Sequence, residues 1–394
     1  MVRSRRLSVS VVVLALCLLA AACGGPEEQA AEPPADGADS SEPAEGADDG
    51  ETPAAGGEAT GGEGAASDGM THDELVEAAA AEPGPLQVSL SMDDANIPLV
   101  VESFAEKYPD IAVEPVEVTG SEDERVLLEV QSGVSELDVV HISSDSYSSY
   151  LEYMENVDLL AMAEAGTLDI PVEMINPDDP YIIAAGSTIS GIAWNPNLVE
   201  DDLVPETYED FLDPELKGRF VVDIEPTALA ALWPTKGEEW VLQYARDIAA
   251  QEPIWARGTT RSLTAIAAGE YDLFFVGHHH SAQRAKAADP ENLDVRLLEP
   301  VPVRLTEIQG IVGGSPNVNS AILFLEHLAD PEVQATIDEN DPFQASVYVE
   351  GSNVEDATEG LETSVVTWED MELVEERLQM ILEAWGFPTA VIEG

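Results

Sequence analysis

Three consecutive histidines close an apolar run in "FFVGHHHSAQR", residues 274–284, and they are half of the six in the chain. Imidazole can ligate a metal, donate a hydrogen bond to a bound solute, or finish a strand as a polar cap. Neighbours on a strand point to opposite faces, and neighbours on a helix diverge by about 100°, so at most two of the three can reach one ion. Helical metal pairs sit three or four residues apart, a spacing that His278, His279 and His280 lack. A metal would need His278 or His279 together with His141 from "DVVHI".

The second chemical signal is basic. With Arg3, Arg5 and Arg6 set aside, 13 lysines and arginines remain, and six of them fall between Arg257 and Arg304. In "RGTTRS", Arg257 and Arg261 bracket Thr259 and Thr260, a pattern that suits an anionic solute. Surface ion pairs are the alternative, and exposed pairs are worth only about 0–1 kcal/mol. Gly120 with Ser121, and Ser143 with Ser144 and Asp145, stand where a strand hands over to a helix. Free backbone N–H groups there can meet an anion or simply be capped. Asp93, Asn96, Tyr147 and Trp194 complete the candidate set, the two aromatics offering apolar faces.

A formal charge of −62 excludes nucleic acid and anionic membrane as broad electrostatic partners. From residue 71 onward 65 acidic residues face 13 basic ones, so the acidity belongs to the folded part as well. Self-repulsion on that scale points to a salty, halophilic setting. Three arginines, the apolar run Leu7 to Leu19 and "AAACGG" read as an export signal over residues 1–22, too short to span a membrane. Small residues before Cys23 resemble a bacterial lipoprotein cleavage site, which would make Cys23 the acylated first residue; an incidental cysteine is the alternative. Residues 23–70 carry no basic or aromatic side chain and read as a disordered acidic tether.

Elements that could position these groups begin at Thr71, a cap with Glu74 three residues on. "LQVSLS", "IAVEPVEV" and "LDVVHIS" alternate with helical "IPLVVESFAEKY" and "SEDERVLLEVQSG", the pattern of a parallel sheet. "STISGIAWNP" opens a second such series through "RFVVDI", "ALAALWPTKGEEWVLQYARDIAAQ", "RSLTAIAAGE" and "YDLFFVG". Later chain returns to the first unit and ends in amphipathic "WEDMELVEERLQMILEAWGF". The reading is an α/β protein of two lobes: residues 71–189 with 300–345, then 190–299, with 346–394 a helical segment packing near the second lobe and the hinge.

These stretches, with "GIAWNPNLV" and "DFLDPELKGRF", resemble in order the extracellular solute-binding proteins of bacterial ABC importers, closest in flavour to the iron(III) and small-solute branch. The resemblance implies a periplasmic-binding-protein-like fold, each lobe a mostly parallel sheet flanked by helices, with a ligand cleft between lobes. It also implies binding without catalysis or cofactor, delivery of iron(III), an iron chelate or a small anionic solute to an ABC permease, and a monomer held to the membrane by lipid. That branch commonly binds iron through paired neighbouring tyrosines, and this sequence has no Tyr-Tyr pair. A surface sensing or adhesion protein on the same fold is the alternative. A metal hydrolase built on the histidines fails on spacing, and no Gly-Xaa-Ser-Xaa-Gly elbow, phosphate loop or cysteine nucleophile accompanies them.

Overall fold

In the computed structural model, residues 69–92, 95–117 and 122–387 are described. The export signal, Cys23 and nearly all of the tether lie outside them. The first described helix starts where the capping signal stands: Thr71 Oγ1 accepts from the Glu74 N–H, and the Glu74 carboxylate accepts from the Thr71 N–H, opening the helix His72–Ala79.

Ten strands follow among the described residues: β1 (Leu86–Leu90), β2 (Val113–Glu117), β3 (Val139–Ile142), β4 (Ile182–Trp194), β5 (Phe220–Asp223), β6 (Ile254–Ala256), β7 (Leu273–His278), β8 (Asp294–Arg296), β9 (Val301–Ile311) and β10 (Thr363–Val365). Their order is β2-β1-β3-β9-β4-β7-β5-β6, with β10 beside β9 and β8 beside β4. The β2-β1-β3 and β7-β5-β6 groups are parallel, whereas β9 runs antiparallel to both β3 and β4, and β4 antiparallel to β7. Each lobe therefore holds a mixed sheet, parallel in its outer strands as expected and antiparallel at the two shared strands.

Those strands are the architectural centre. Residues 182–189 of β4 pair with β9, and residues 190–194 pair with β7 on one side and β8 on the other. One 13-residue strand thus leaves the first lobe and enters the second without a break. On its other edge β9 meets β3 at Ile308–Ile311 and β10 at Val301–Val303, so Arg304 to Glu307 have no strand beside them there among the described residues.

Two large cores flank this crossing. One gathers Leu86, Val88, Phe104, Ile183, Phe324 and Leu328, the other Trp194, Phe211, Phe220, Tyr244, Phe275 and Ile381. The terminal helix Val374–Trp385 belongs to the second core and packs on the helix Glu238–Ala250. The apolar run before that helix does not continue it: Pro234 sits in the first turn of Trp233–Lys236, and Gly237 turns the chain at φ 79°, leaving two one-turn helices, Thr227–Ala230 and Trp233–Lys236, ahead of the long one where periodicity suggests a single helix. None of the described helices is long and apolar enough to cross a membrane.

Candidate functional site

Between the lobes lies a cavity of about 440 Å³ whose floor is the β4/β9 crossing. Directly opposed residues of antiparallel strands share a face. Thr188 opposes Arg304, Gly186 opposes Thr306, and Ser190 opposes His278, so these six positions form one row across β9, β4 and β7. On the opposite face Ser187 holds the Val347 N–H at 2.9 Å and Ile189 joins a small apolar core with Val301 and Val303. Sequence alternation thus gives the crossing one packed face and one polar face turned to the cavity.

What distinguishes that polar face is missing partners. The side-chain oxygens of Thr188, Ser190 and Thr306 and the Arg304 Nε are buried with no hydrogen-bond partner among the described residues. Thr188 is 3% exposed and lines the cavity. Buried polar atoms are normally paired, so a run of orphans at a cavity wall marks a place where something else supplies the partners. Gly186 is needed here because a Cβ would lie 2.8 Å from Thr306 Oγ1 and 3.2 Å from Glu307 Cγ.

Arg304 is the strongest charge in this row. No carboxylate stands within ion-pair distance of it among the described residues, although Asp145 and Glu225 act on it from further away, and burial pushes its guanidinium down to about 10. Its NH2 group donates to His278 Nε2 at 3.1 Å, which fixes His278 as an acceptor at Nε2. Burial, then the Arg304 charge and His280, drive His278 down to about 3, so it is neutral near pH 7. The His278 and His280 rings stack at 5.4 Å, and both line the cavity. Facing them on the first lobe are Ser91, Met92, Asp123, His141, Ser143 and Ser144, with Arg284 and Asp341 paired at 3.3 Å on the rim. Burial raises the Asp123 carboxyl, with the Asp145 charge adding and His141 and Ser143 opposing.

Of the residues nominated by sequence, His278, His141, Ser143 and Ser144 line this cavity. Asp145 stands beside it, accepting from Ser143 Oγ at 2.6 Å. His279 turns away: one helical step swings its ring against Phe343 at 5.0 Å, where burial lowers it to about 4. Trp194 and Tyr147 are core aromatics, Trp194 under the Arg296 guanidinium and Tyr147 donating to Asp179 at 2.9 Å. Asn96 is 1% exposed in the first turn of its helix, away from the cavity. Arg257 is 72% exposed and pairs loosely with Glu225 at 3.4 Å, and Thr259 and Thr260 begin the helix Thr259–Ala267 outside the cavity lining. Asp93, Gly120 and Ser121 lie outside the described residues.

Arg304, Thr306 and Thr188 were missed, and His280 was weighed only as part of the triad. A signal existed for the first two: in "VPVRLTEI" the alternation puts Arg304 and Thr306 on one face opposite Val303 and Leu305, an unexpected place for a lone arginine. Among the described residues no group of three or more His, Cys, Asp or Glu side chains gathers to hold a metal.

Two lobes joined by long shared strands, with a polar cavity at the crossing, define a binding protein of the bilobal periplasmic class. The bacterial extracellular solute-binding protein family matches residues 90–335, and the chain belongs to that family. It is therefore a solute-binding protein of the ABC-transporter type, extracellular or periplasmic, and not an enzyme. Solved structures share the fold at low identity. Iron-bound HitA from Pseudomonas aeruginosa is 17% identical with a TM-score of 0.57, covering 77% of this chain and 99% of its own. A Trichodesmium protein in complex with iron and citrate is 20% identical at 0.58, covering 77% and 100%. The ferric binding protein from Campylobacter jejuni is 18% identical at 0.61, covering 76% and 99%. A search of the curated proteins returns no match.

Proposed function

We propose that this protein captures a small anionic solute in the cleft and hands it to an ABC permease. The lobes would be residues 71–189 with 300–345 and 190–299, with 346–394 packed by the second lobe and the hinge. Residues 1–22 would direct export, and acylated Cys23 with its acidic tether would hold the receptor at the outer face of the membrane. Within the cleft Arg304, Thr188, Thr306, His278, Ser143 and Ser144 would hold the anion. The observation that carries this reading is Arg304: a guanidinium without a carboxylate partner among the described residues, in a chain with 78 acidic residues. In so acidic a protein an unpaired arginine at a cavity floor is costly unless a ligand neutralises it.

A ferric complex carrying its own anion is a second reading, favoured by what the similar structures are described as holding. Bare ferric ion fits less well. It prefers phenolate and carboxylate oxygen; Asp123, Glu307 and Asp341 line the cavity without gathering into a metal-holding group among the described residues, no tyrosine lines it, and the Tyr147 hydroxyl is engaged by Asp179 and Asn176. Calorimetry with phosphonates, sugar phosphates, citrate, ferric citrate and ferric nitrilotriacetate separates the readings. Binding of anions, with or without iron, supports the proposal. Binding confined to the ferric probe, and equal for wild type and Arg304→Met, would overturn it.

A further inference from the structure

The cavity holds a second unpaired charge of opposite sign. Glu307 lines it and has no basic group within ion-pair distance among the described residues, whereas Asp123 faces His141 and Asp341 is paired with Arg284. Among the described residues its carboxylate accepts only two long contacts, 3.4 Å from the Ser91 N–H and 3.4 Å from Gln309 Nε2. These are at the weak end of hydrogen bonding.

The backbone is bent to put it there. Strand alternation would send Glu307 to the face opposite Thr306. Instead Glu307 adopts φ 47°, a left-handed conformation rare for a glutamate, and both Thr306 Oγ1 and Glu307 Cγ crowd the missing Cβ of Gly186. The distortion falls in the stretch of β9 that has no strand on one edge, where a carboxylate could otherwise have been left facing solvent. Held strain at a cavity wall is a mark of a functional position.

We infer that the solute is a zwitterion, its anionic group held by Arg304 and Thr188 and its ammonium group by Glu307. This rests on the reading of the cleft as an anion receptor and adds the second pole. Three steps of strand, about 10 Å between Cα atoms, separate Arg304 from Glu307 along β9. With both side chains reaching inward, the gap suits a short chain bearing an acid at one end and an amine at the other. Thr188, 3% exposed and without a partner for its hydroxyl, stands opposite Arg304 on β4 and completes the anionic end.

The test is calorimetry of the full folded receptor with matched pairs: 3-aminopropylphosphonate against propylphosphonate, and 4-aminobutyrate against butyrate. The amine-bearing member should bind at least tenfold tighter than its partner. Glu307→Gln should weaken the amine-bearing member about tenfold and tighten the plain anion severalfold, because a repelling charge has gone. Opposite shifts cannot come from a damaged fold. Equal affinity within each pair, or a preference that survives Glu307→Gln, overturns the zwitterion while leaving the anion receptor standing. Binding of neither member at millimolar concentration, or affinities for both that ignore Arg304→Met, overturns the anion reading and this inference with it.

Discussion

Two buried polar regions of this protein are built alike and end differently. Under the first lobe, the Asp138 carboxylate accepts from the Gln87 N–H at 2.8 Å, Ser315 Oγ at 2.6 Å and Asn317 Nδ2 at 3.0 Å. In the cleft, Thr188, Ser190, Thr306 and the Arg304 Nε have no partner among the described residues. The same contrast separates two arginines: Arg377 pairs with Asp370 at 2.7 Å and lies over the Trp233 ring, and Arg304 has neither kind of support. Polar groups that partner one another hold chain segments together. Polar groups left over at a cavity wall, in a family whose members bind solutes, are the basis for proposing the cleft as the solute site.

The contrast breaks most visibly through stability. Arg377→Met strands the Asp370 carboxylate, both side chains being no more than 15% exposed, and should cost about 3 kcal/mol. Asp138→Ala, which orphans three donors, should cost about 2–3 kcal/mol. Gly186→Ala should cost about 1–3 kcal/mol by overpacking against Thr306, Glu307 and the Gln344 carbonyl. Denaturant melts of the solute-free protein check all three, and a wild-type midpoint for Arg377→Met would erase the distinction drawn between the arginines.

Acid sharpens the comparison. His278 and His279 are pushed down from 6.5 to about 3 and about 4, chiefly by burial, so the unfolded chain binds their protons first. Their contribution is fully present above about pH 6.5 and is lost as pH falls toward those values, about 2 kcal/mol each at pH 5. His279→Gln should flatten that acid slope by about one proton, measured as stability against pH between 4 and 7. The smallest effect belongs to the cleft: Arg304→Met should leave solute-free stability within about 1 kcal/mol of wild type or raise it, because an uncompensated charge is removed.

Much of the fold was legible because local chemistry and tertiary structure agree. The Thr71 capping box, the β1–β3 alternation and the strand-to-helix change between Gly277 and His279 follow from residue type and period. The crossing strand was not: β4 begins at Ile182, before the polar "STIS" that reads as a start, because its pairing with β9 is set more than a hundred residues away. Strand and helix periods imply that at most two of the three histidines can meet; His278 and His280 line the cavity together, and sequence could not say that His279 is the one that turns to Phe343. Local composition drew attention to Arg257, but acidic neighbours answer that charge on the surface. Arg304 stood out only once the strand opposite it was known.

Arg304 is proposed as the anion's counter-charge, and one measurement tests that role most directly. Calorimetric affinity for the tightest-binding anion should fall at least a hundredfold in Arg304→Met while the folded state persists, in keeping with loss of a charge-assisted, buried contact. An unchanged affinity in a folded Arg304→Met protein would contradict it.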